Sequence, residues 1–305
     1  MRTRERMTHS QFLCMLAAVA VLVMSAVCLW TVREPIVAWW ADLWTAKDGQ
    51  ALPEGAVQFH FVDVGQGDCI LITTPWGNVL VDAGSNASEQ ALAQYLNLQG
   101  VTSFAYAVFT HPDEDHIGAA DMVLSSYAVE RALIPDVTED SLTYRRMMEK
   151  MEEGGVQTVT ARAGMVFDVG DVRFTVLAPI ENDYKEVNDY SVVLKVTYGE
   201  RSVLLTGDAT TSSEWSMLTT YGAEVLTCDL LKVGHHGAGT STSQAFVEAV
   251  SPRYAVISVG EGNAYDHPRG EIVERLEREG AHVYRTDVSG TVAFATDGQR
   301  WYVRE

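Results

Sequence analysis

The sequence predicts an α/β domain built from two β-sheets with helices on the outside. Short strand-like runs alternate with helix-like runs from about residue 56 to the C-terminus, and no repeat, low-complexity tract or linker divides this region. Hydrophobic residues make up 47% of the chain and charged residues 21%, so a sizeable core can be buried. We therefore expect one domain over residues 56–305.

The first strands of this domain are predicted from three apolar runs separated by turn signals. The runs are VQFHFVDVG, CILITT and NVLVDAG, and the turns between them are GQGD and PWG. A helix follows over SEQALAQYLNLQG, with a serine as its cap and Gly100 as its end. The next strand is FAYAVFT, after which the chain enters a charged loop.

The same alternation continues to the C-terminus. A helix near LTYRRMMEKMEEGG precedes the strands VRFTVLAP, SVVLKVTYG and RSVLLTG. After these come LTCDLLKVG, a helix from Ser243, YAVISVG, a helix from Arg269 to Gly280, and the closing pair GTVAFATDGQRWYV. Apolar runs that end in DAG, TH, TGD and VGHHG place polar residues at strand ends. In layered α/β folds such ends converge on one rim, where sites are built.

The N-terminal part has a different organisation. Residues 1–11 are basic, and residues 12–32 are predominantly apolar and uncharged, which predicts a transmembrane signal anchor rather than a cleaved leader. The basic flank favours a cytoplasmic N-terminus and an extracytoplasmic domain held at the cell membrane. Residues 33–55 are predicted as a juxtamembrane amphipathic segment and a linker. That segment either lies in the lipid headgroup layer or packs on the domain.

The charge balance limits the kind of partner. The net charge of −19 and a pI near 4.7 argue against broad electrostatic attraction to nucleic acid. A phosphate ligand would need a local basic patch or a bound cation. An enzyme that acts on phosphodiesters therefore stays compatible with the composition. Cys69 and Cys228 lie in apolar runs and are predicted to be small buried residues, with a disulfide between them left open.

The segment THPDEDHIGA at residues 110–119 crowds two histidines and three carboxylates behind an apolar run. Crowded acids on a loop repel one another unless a cation lies between them, and imidazole together with carboxylate suits divalent metals. A carboxylate such as Asp208 can bridge two metal ions about 3.5–4 Å apart. The candidate ligands are His111, Asp113, Asp115, His116, Asp208 and His235.

Together these motifs resemble the metallo-β-lactamase fold hydrolases, and within them the domain at the end of ComEC-type competence DNA-uptake proteins. The matching pieces are FVDVGQGDCILI, VLVDAG, THPDEDHIG, NDYSVVLKV, LLTGD, LKVGHHG and the HP before Arg269. The resemblance implies a four-layered αββα sandwich and one or two divalent metal ions, Zn²⁺ or Mn²⁺. It also implies a nuclease that acts on DNA or another phosphodiester.

The resemblance also assigns ligands. Asp115, His116, Asp208 and His235 would complete one metal site, and His111, Asp113 and Asp208 would form a second. Asp113 stands where the family has a second histidine, and NDYS stands where a third is expected, so the second site is rich in oxygen. Oxygen ligands shift the preference towards manganese. Asp82 is expected to brace the metal loop and Asp68, in the GQGD turn, to support the site.

Further residues are candidates for contact with substrate. Asn188 or Asp189 could complete the second site or touch substrate. Lys232 and Arg269 could contact a phosphate, or could be basic residues on a solvated face. His236 and His267 are assigned with Asp115 to the catalytic group; His236 could instead bond the loop, and His267 could be a turn histidine before proline.

These observations predict a membrane-anchored metal-dependent hydrolase, with a hydroxide activated by metal attacking the phosphorus of a DNA phosphodiester. Two alternatives remain. One is hydrolysis of another ester, amide or thioester with the same metals, because this fold hosts many chemistries. The other is a non-catalytic module that binds nucleic acid or cell wall.

Overall fold

The computed structural model describes residues 52–304, and from Pro53 onward these residues belong to one compact unit. The predicted basic segment 1–11, the predicted anchor 12–32 and most of the predicted segment 33–55 lie outside these residues. Among the helices of residues 52–304, none combines the length and the hydropathy needed to cross a membrane.

The strands of the described residues follow the apolar runs of the sequence. In chain order they are β1 (Val57–Phe61), β2 (Ile70–Thr74), β3 (Gly77–Val81), β4 (Ser103–Val108), β5 (Ala128–Ile134), β6 (Gln157–Thr160), β7 (Val166–Val169), β8 (Val172–Ala178), β9 (Val193–Tyr198), β10 (Arg201–Leu205), β11 (Leu230–Lys232), β12 (Tyr254–Ile257), β13 (His282–Arg285), β14 (Val292–Thr296) and β15 (Trp301–Arg304).

These strands form two mixed sheets. The first has the order β15-β14-β1-β2-β3-β4-β5-β6, antiparallel from β15 to β3 and parallel from β3 to β6. The second has the order β13-β12-β11-β10-β9-β8-β7, parallel from β13 to β10 and antiparallel from β10 to β7. Each sheet therefore has a parallel half, whose strands are joined by helical crossovers.

Helices provide those crossovers, except for the last helix, which joins β13 of the second sheet to β14 of the first. They are α1 (Glu89–Leu98), α2 (Glu114–Ile117), α3 (Ala120–Ser126), α4 (Leu142–Glu153), α5 (Thr211–Tyr221), α6 (Ala223–Leu226), α7 (Gln244–Val250), α8 (Gly270–Arg278) and α9 (Thr286–Ser289). Short 3₁₀ turns span Asn86–Ser88, Val187–Tyr190 and Gly234–Gly237. Helices α1–α4 pack on the outer face of the first sheet and α5–α8 on that of the second.

Alternation of side chains along the strands separates the cores. In β1, Phe59 and Phe61 point between the two sheets and meet residues such as Phe174 and Phe294. His60, between them in sequence, points to the helical side, where its Nδ1 lies 2.7 Å from the Tyr95 hydroxyl. One core lies between the sheets and one lies beneath each helical layer, which gives the order helix, sheet, sheet, helix. The predicted α/β class with two sheets is confirmed.

The two cysteines of the described residues are free thiols. Cys69 lies in the core under the helices of the first sheet, and Cys228 lies in the corresponding core of the second sheet. Because the sandwich separates these cores, the two thiols do not pair. The prediction that both cysteines are buried is confirmed.

Two pairs of parallel strands, β3 with β4 and β10 with β11, end at the same rim of the sandwich. β3 leads to Asp82 and its parallel neighbour β4 leads to the loop with His111. In the second sheet, β10 leads to Asp208, and its parallel neighbour β11 ends at Lys232, just before His235. Carboxyl ends of parallel strands are the usual place for a site in open α/β sheets.

Candidate metal centre

The loop after β4 is held in place by Asp82. Its carboxylate accepts hydrogen bonds from the Thr110 backbone N–H and hydroxyl, both at 2.7 Å, and from His116 Nδ1 at 2.8 Å. Asp82 adopts a φ of 60°, a left-handed conformation that non-glycine residues rarely take and that clusters at functional sites. With Nδ1 engaged by Asp82, His116 presents Nε2 to the rim.

The Asp208 carboxylate lies at the rim, close to one histidine from each sheet. Its Oδ1 lies 3.3 Å from His116 Nε2, and its Oδ2 lies 3.3 Å from His236 Nε2. The same His236 nitrogen is 3.3 Å from an oxygen of Asp115. Three overlapping groups of potential ligands share His116. Two of them face the rim, one formed by Asp115, His116 and His236 and the other by His111, His116 and Asp208; the third, Asp68, Asp82 and His116, lies behind them.

The atoms that face this point lack other partners. Among the described residues, the buried atoms without a hydrogen bond include Nε2 of His111, His116 and His236 and Oδ1 of Asp208. A buried polar atom left unpaired destabilises a protein by about 1–3 kcal/mol, so four such atoms aimed at one place need an explanation. Three imidazole nitrogens and carboxylate oxygens form a donor set that fits a divalent metal ion.

The two adjacent histidines of the VGHHG turn differ in their surroundings. His236 is buried, and its Nδ1 lies 2.9 Å from the Ser258 carbonyl oxygen, to which it donates. His235 is about a quarter exposed, with Nε2 3.7 Å from Asp208 Oδ2 and 3.4 Å from the Asn188 amide nitrogen. The structure thus places His236 where the sequence placed His235 as a ligand. Both residues have positive φ, 48° and 53°, a turn that spacing alone does not reveal.

The second, oxygen-rich group is more open. His111 Nε2 is 3.6 Å from an oxygen of Asp113, whose side chain is 43% exposed. Behind the ring, His111 Nδ1 lies 3.0 Å from the Thr110 hydroxyl and 3.5 Å from that of Ser191. The Ser191 hydroxyl also accepts a hydrogen bond from the Asp208 N–H at 3.1 Å. Ser191, which ends the NDYS stretch, therefore links both ligands, and sequence reasoning missed it.

Two residues predicted to contact substrate are buried away from it. Asp189 accepts hydrogen bonds from the Thr210 N–H and hydroxyl and from the Ser213 N–H, so it caps the start of α5. Lys232 has no exposed surface, and its Nζ lies 2.5 Å from Asp68 Oδ2. The sequence interpretation of both residues is corrected because burial leaves neither side chain access to a substrate.

The GQGD turn approaches the metal loop by its backbone. The Asp68 N–H donates to the Asp115 carbonyl oxygen at 3.1 Å. A Cβ on Gly67 would lie only 2.2 Å from that oxygen, and Gly67 also has a φ of 133°, so no larger residue fits there.

The remaining candidates lie on the outer side of the centre. The His267 ring is 5.7 Å from that of His235 and stacks on the exposed Tyr265 at 5.8 Å. Arg269 pairs with Asp266 at 2.5 Å on the surface. Asn188 faces His235 rather than His111. These positions are compatible with contact to a substrate for Asn188 and His267, whereas Arg269 already has an anionic partner.

Charged neighbours shift the pKa values of the histidines and of Asp208 in the centre. Burial alone would lower the pKa of His116 and His236, but the Asp208 carboxylate, with Asp82 for His116 and Asp115 for His236, raises both pKa values well above 6.5. The pKa of Asp208 is correspondingly held well below its usual value despite burial, because both histidines stabilise the carboxylate. Protons on these histidines thus occupy the positions that a divalent cation would take.

The other nearby groups shift in different ways. Burial lowers the pKa of His235 and of His267, so both rings favour the neutral form. Burial opposes ionisation of Asp68, but the Lys232 ammonium together with His236 and His116 outweighs burial and lowers the pKa of that carboxyl. The centre therefore combines charged and neutral histidines within a few ångströms.

A cavity of about 630 Å³ opens beside the metal loop. Tyr265 lines it together with four carboxylates, and none of the described side chains that line it is a lysine or an arginine. The carboxylates are those of Asp113, Glu114, Asp115 and Glu139. This space is strongly acidic and adjoins the open side of the centre.

Residues 62–261 match the model of the metallo-beta-lactamase superfamily. ComE operon protein 3 of Bacillus subtilis is 32% identical over 259 residues, which cover 79% of this chain and 33% of that protein. Competence protein ComA of Neisseria gonorrhoeae is 34% identical over 246 residues, 80% of this chain and 33% of that protein. Recombination protein 2 of Haemophilus influenzae is 32% identical over 240 residues, which cover 77% of this chain and 28% of that protein. The chain thus spans about a third of the length of these curated relatives.

Solved structures share the architecture at low identity. The metallo-beta-lactamase fold protein YhfI from Bacillus subtilis superimposes with a TM-score of 0.53 at 13% identity, over 80% of this chain and 100% of that one. CmlA, a diiron beta-hydroxylase from Streptomyces venezuelae, superimposes with a TM-score of 0.53 at 17% identity, over 81% of this chain and 55% of that one. Both likenesses concern the fold. The family match over residues 62–261 shows that the chain belongs to the metallo-beta-lactamase superfamily of metal-dependent hydrolases, and the relatives at 32–34% identity show that it is related to ComEC-type competence proteins.

Proposed function

We propose that the protein is a nuclease that hydrolyses phosphodiester bonds of DNA, with one or two Zn²⁺ or Mn²⁺ ions as cofactors. The observation that carries the proposal is the convergence of unpaired imidazole nitrogens on the Asp208 carboxylate, with Asp115 beside them. Relatives named for competence and for recombination support DNA as the substrate.

Different residues would hold the two metal ions. Asp115, His116, His236 and Asp208 would hold one ion, and His111, Asp113 and Asp208 would hold another. Divalent ions there would supply Lewis-acid polarisation of the phosphoryl group and lower the pKa of water. Asp82 and Thr110 fix the loop that carries these ligands.

His235 is suited to proton transfer at the open side. Its side chain is 26% exposed, and burial favours its neutral form, which can accept or pass on a proton at Nε2. The Asn188 amide and the Thr240 hydroxyl lie at its two ring nitrogens, at 3.4 and 3.3 Å, and orient the ring. His267 lies beside it and would face the leaving group or a neighbouring phosphate.

We also propose that residues 12–32 anchor the protein in the cell membrane with the hydrolase outside the cytoplasm. The uncharged apolar stretch behind a basic segment supports this arrangement. Protease added to intact cells should degrade the hydrolase domain once the outer layers are permeable. Protection of the domain under those conditions would contradict the proposal.

The test of the nuclease uses the purified 305-residue chain with labelled single- and double-stranded DNA. Reactions contain Mn²⁺, Zn²⁺ or a chelator, and an Asp115→Ala variant is the matched control. We expect cleavage that depends on metal and is lost in the variant. Tightly bound metal without cleavage of either DNA would contradict the phosphodiester substrate. If the chain held less than one metal ion per molecule and bound its partner equally well with and without chelator, the result would instead support the non-catalytic binding module.

The acidic cavity favours a second candidate. Four carboxylates without a lining lysine or arginine suit an uncharged or cationic substrate group better than a polyanion. Hydrolysis of another ester, amide or thioester by the same centre would fit this feature. A panel of such substrates, run with the same Asp115→Ala control, decides between the two functions.

A further inference from the structure

A buried ion pair lies directly behind the metal centre. Lys232 is the last residue of β11, and Asp68 follows the GQGD glycines; neither has any exposed side-chain surface. Lys232 Nζ lies 2.5 Å from Asp68 Oδ2 and donates to the Gly207 carbonyl oxygen at 3.1 Å. A pair at this depth cannot bind a substrate, so its contacts within the protein must account for it.

The carboxylate of Asp68 reaches two of the histidines from their far side. Its Oδ1 is 3.4 Å from His236 Nδ1, and its Oδ2 is 3.9 Å from His116 Nδ1. The opposite nitrogens of these rings, the Nε2 atoms, are the ones that face Asp208. The nearest acceptors of these two Nδ1 atoms are the Ser258 carbonyl at 2.9 Å and the Asp82 carboxylate at 2.8 Å, so Asp68 adds a second, longer contact behind each ring.

Lys232 and the backbone of Asp68 extend the connection to the carboxylate ligands. Lys232 Nζ is 3.9 Å from Asp208 Oδ1, and its bond to Gly207 holds the residue just before Asp208. The Asp68 N–H donates to the Asp115 carbonyl oxygen at 3.1 Å, and the Asp68 carbonyl accepts from the Gly84 N–H at 2.8 Å. The pair thus contacts both sheets at the rim.

We propose that Lys232 and Asp68 act together as positioning residues of the metal centre. Asp68 adds negative charge behind His236 and His116 and supports the orientation that Ser258 and Asp82 give them, and Lys232 holds Asp68 in place while fixing the turn that carries Asp208. Because a buried charge is tolerated only with a partner, the two residues act as one unit. This inference rests on the metal-dependent function proposed above.

The experiment compares Lys232→Met, Asp68→Asn and the double variant with the unmodified chain. Lys195→Met is the control, because Lys195 lies in the same sheet and donates to the carbonyl oxygens of Val225 and Thr227, not to the centre. Affinity for Mn²⁺ and Zn²⁺ is measured by competition with a chelating dye, and folding by circular dichroism with and without metal. A purely structural pair would change the metal-free melting temperature and leave affinity unchanged.

We expect each single variant to bind metal about 10–100-fold more weakly. The double variant should be no worse than the weaker single variant, because the two residues act as a unit, and Lys195→Met should retain full affinity. If a single variant fails to fold through its unpaired charge, the double variant, which lacks both charges, provides the measurement.

If the Asp68→Asn variant or the double variant folds and binds metal with unchanged affinity, Lys232 and Asp68 are not positioning residues. That result would leave the proposed metal-dependent function intact. A double variant that fails to fold would also overturn the positioning assignment, since the pair would then be a requirement of folding. If the unmodified chain bound no metal, the proposed function would fail, and the assignment with it.

Discussion

His235 and His236 are neighbours in sequence with opposite environments. His236 is 2% exposed and is fixed from behind by the Ser258 carbonyl, whereas His235 keeps about a quarter of its surface open. A left-handed turn at both residues sends the two rings in different directions. The inner ring is suited to hold a metal ion and the outer ring to meet a substrate.

This difference predicts distinct variants. His236→Ala should remove a ligand, and we expect metal affinity to fall by more than the ~10–100-fold that an outer-shell residue contributes. His235→Ala should keep its metal and lose turnover instead. Metal per chain after dialysis, measured by mass spectrometry beside kcat, separates the two. Loss of metal from His235→Ala with retention in His236→Ala would reverse the assignment.

The charges of the metal-free centre predict a dependence of stability on pH. His116 and His236 have pKa values raised well above 6.5, so their contribution to stability is full below that pH and is lost as pH rises through the raised values. The depressed pKa of Asp208 gives a contribution that is present above pH 3.8 and lost in acid. Between these limits the metal-free protein gains most from the cluster.

We therefore expect the melting temperature of chelator-treated protein to fall as the pH rises above 6.5. One pKa unit is about 1.4 kcal/mol, and 1 kcal/mol is about 2–4 °C for a domain of this size. The fall should be smaller in Asp208→Asn, which lacks the carboxylate shared by both histidines. A metal-free melting temperature that rises over this range would contradict the argument.

At the scale of elements, a turn in the first sheet limits the position of the metal loop. A Cβ on Gly67 would lie 2.2 Å from the Asp115 carbonyl oxygen, whereas nothing lies within 4 Å of the corresponding position on Gly65. Both glycines have positive φ, so a substitution strains the backbone at either position. Only the substitution at Gly67 also pushes against the residue that supplies a ligand.

We expect Gly67→Ala to weaken metal binding and Gly65→Ala to retain it. Both should lose stability, by about 1 kcal/mol or more, since alanine is disfavoured at positive φ. Dye competition for metal, combined with chemical denaturation, separates the two effects. Equal metal affinities in the two folded variants would show that the contact with Asp115 has no influence on the centre.

The elements were largely predictable from the sequence, and the reasons are physical. Apolar runs such as FAYAVF form strands because a buried strand needs continuous hydrophobic residues, and the polar residues after them reach one rim because the strands are parallel. Asp82 and His116 could be placed in this way. Asp189, in a 3₁₀ turn, and Lys232, at a strand end, could not, because whether such a polar side chain turns inward depends on distant partners, here Thr210 and Asp68.

At the scale of the whole molecule, charge opposes the proposed substrate. The chain carries a net charge of −19, and the cavity next to the centre adds four carboxylates. A DNA backbone near this surface is repelled until bound cations or salt reduce the field. Metal ions in the centre would then be the main attraction for a phosphate, rather than a basic patch.

The acidic surface around the centre predicts an unusual response to salt. A protein that binds DNA through basic contacts loses about 10³–10⁵ in affinity between about 50 and 200 mM salt, because it releases counterions from the phosphates. With few such contacts near the centre, we expect kcat/KM for single-stranded DNA to stay level or rise over that range at constant free Mn²⁺. Cleavage of the small diester bis(p-nitrophenyl) phosphate is the control for salt effects on the centre itself. If activity on DNA fell steeply while activity on the small diester held, DNA would be guided by a basic surface away from the acidic cavity, and the metal ions would not be its main attachment.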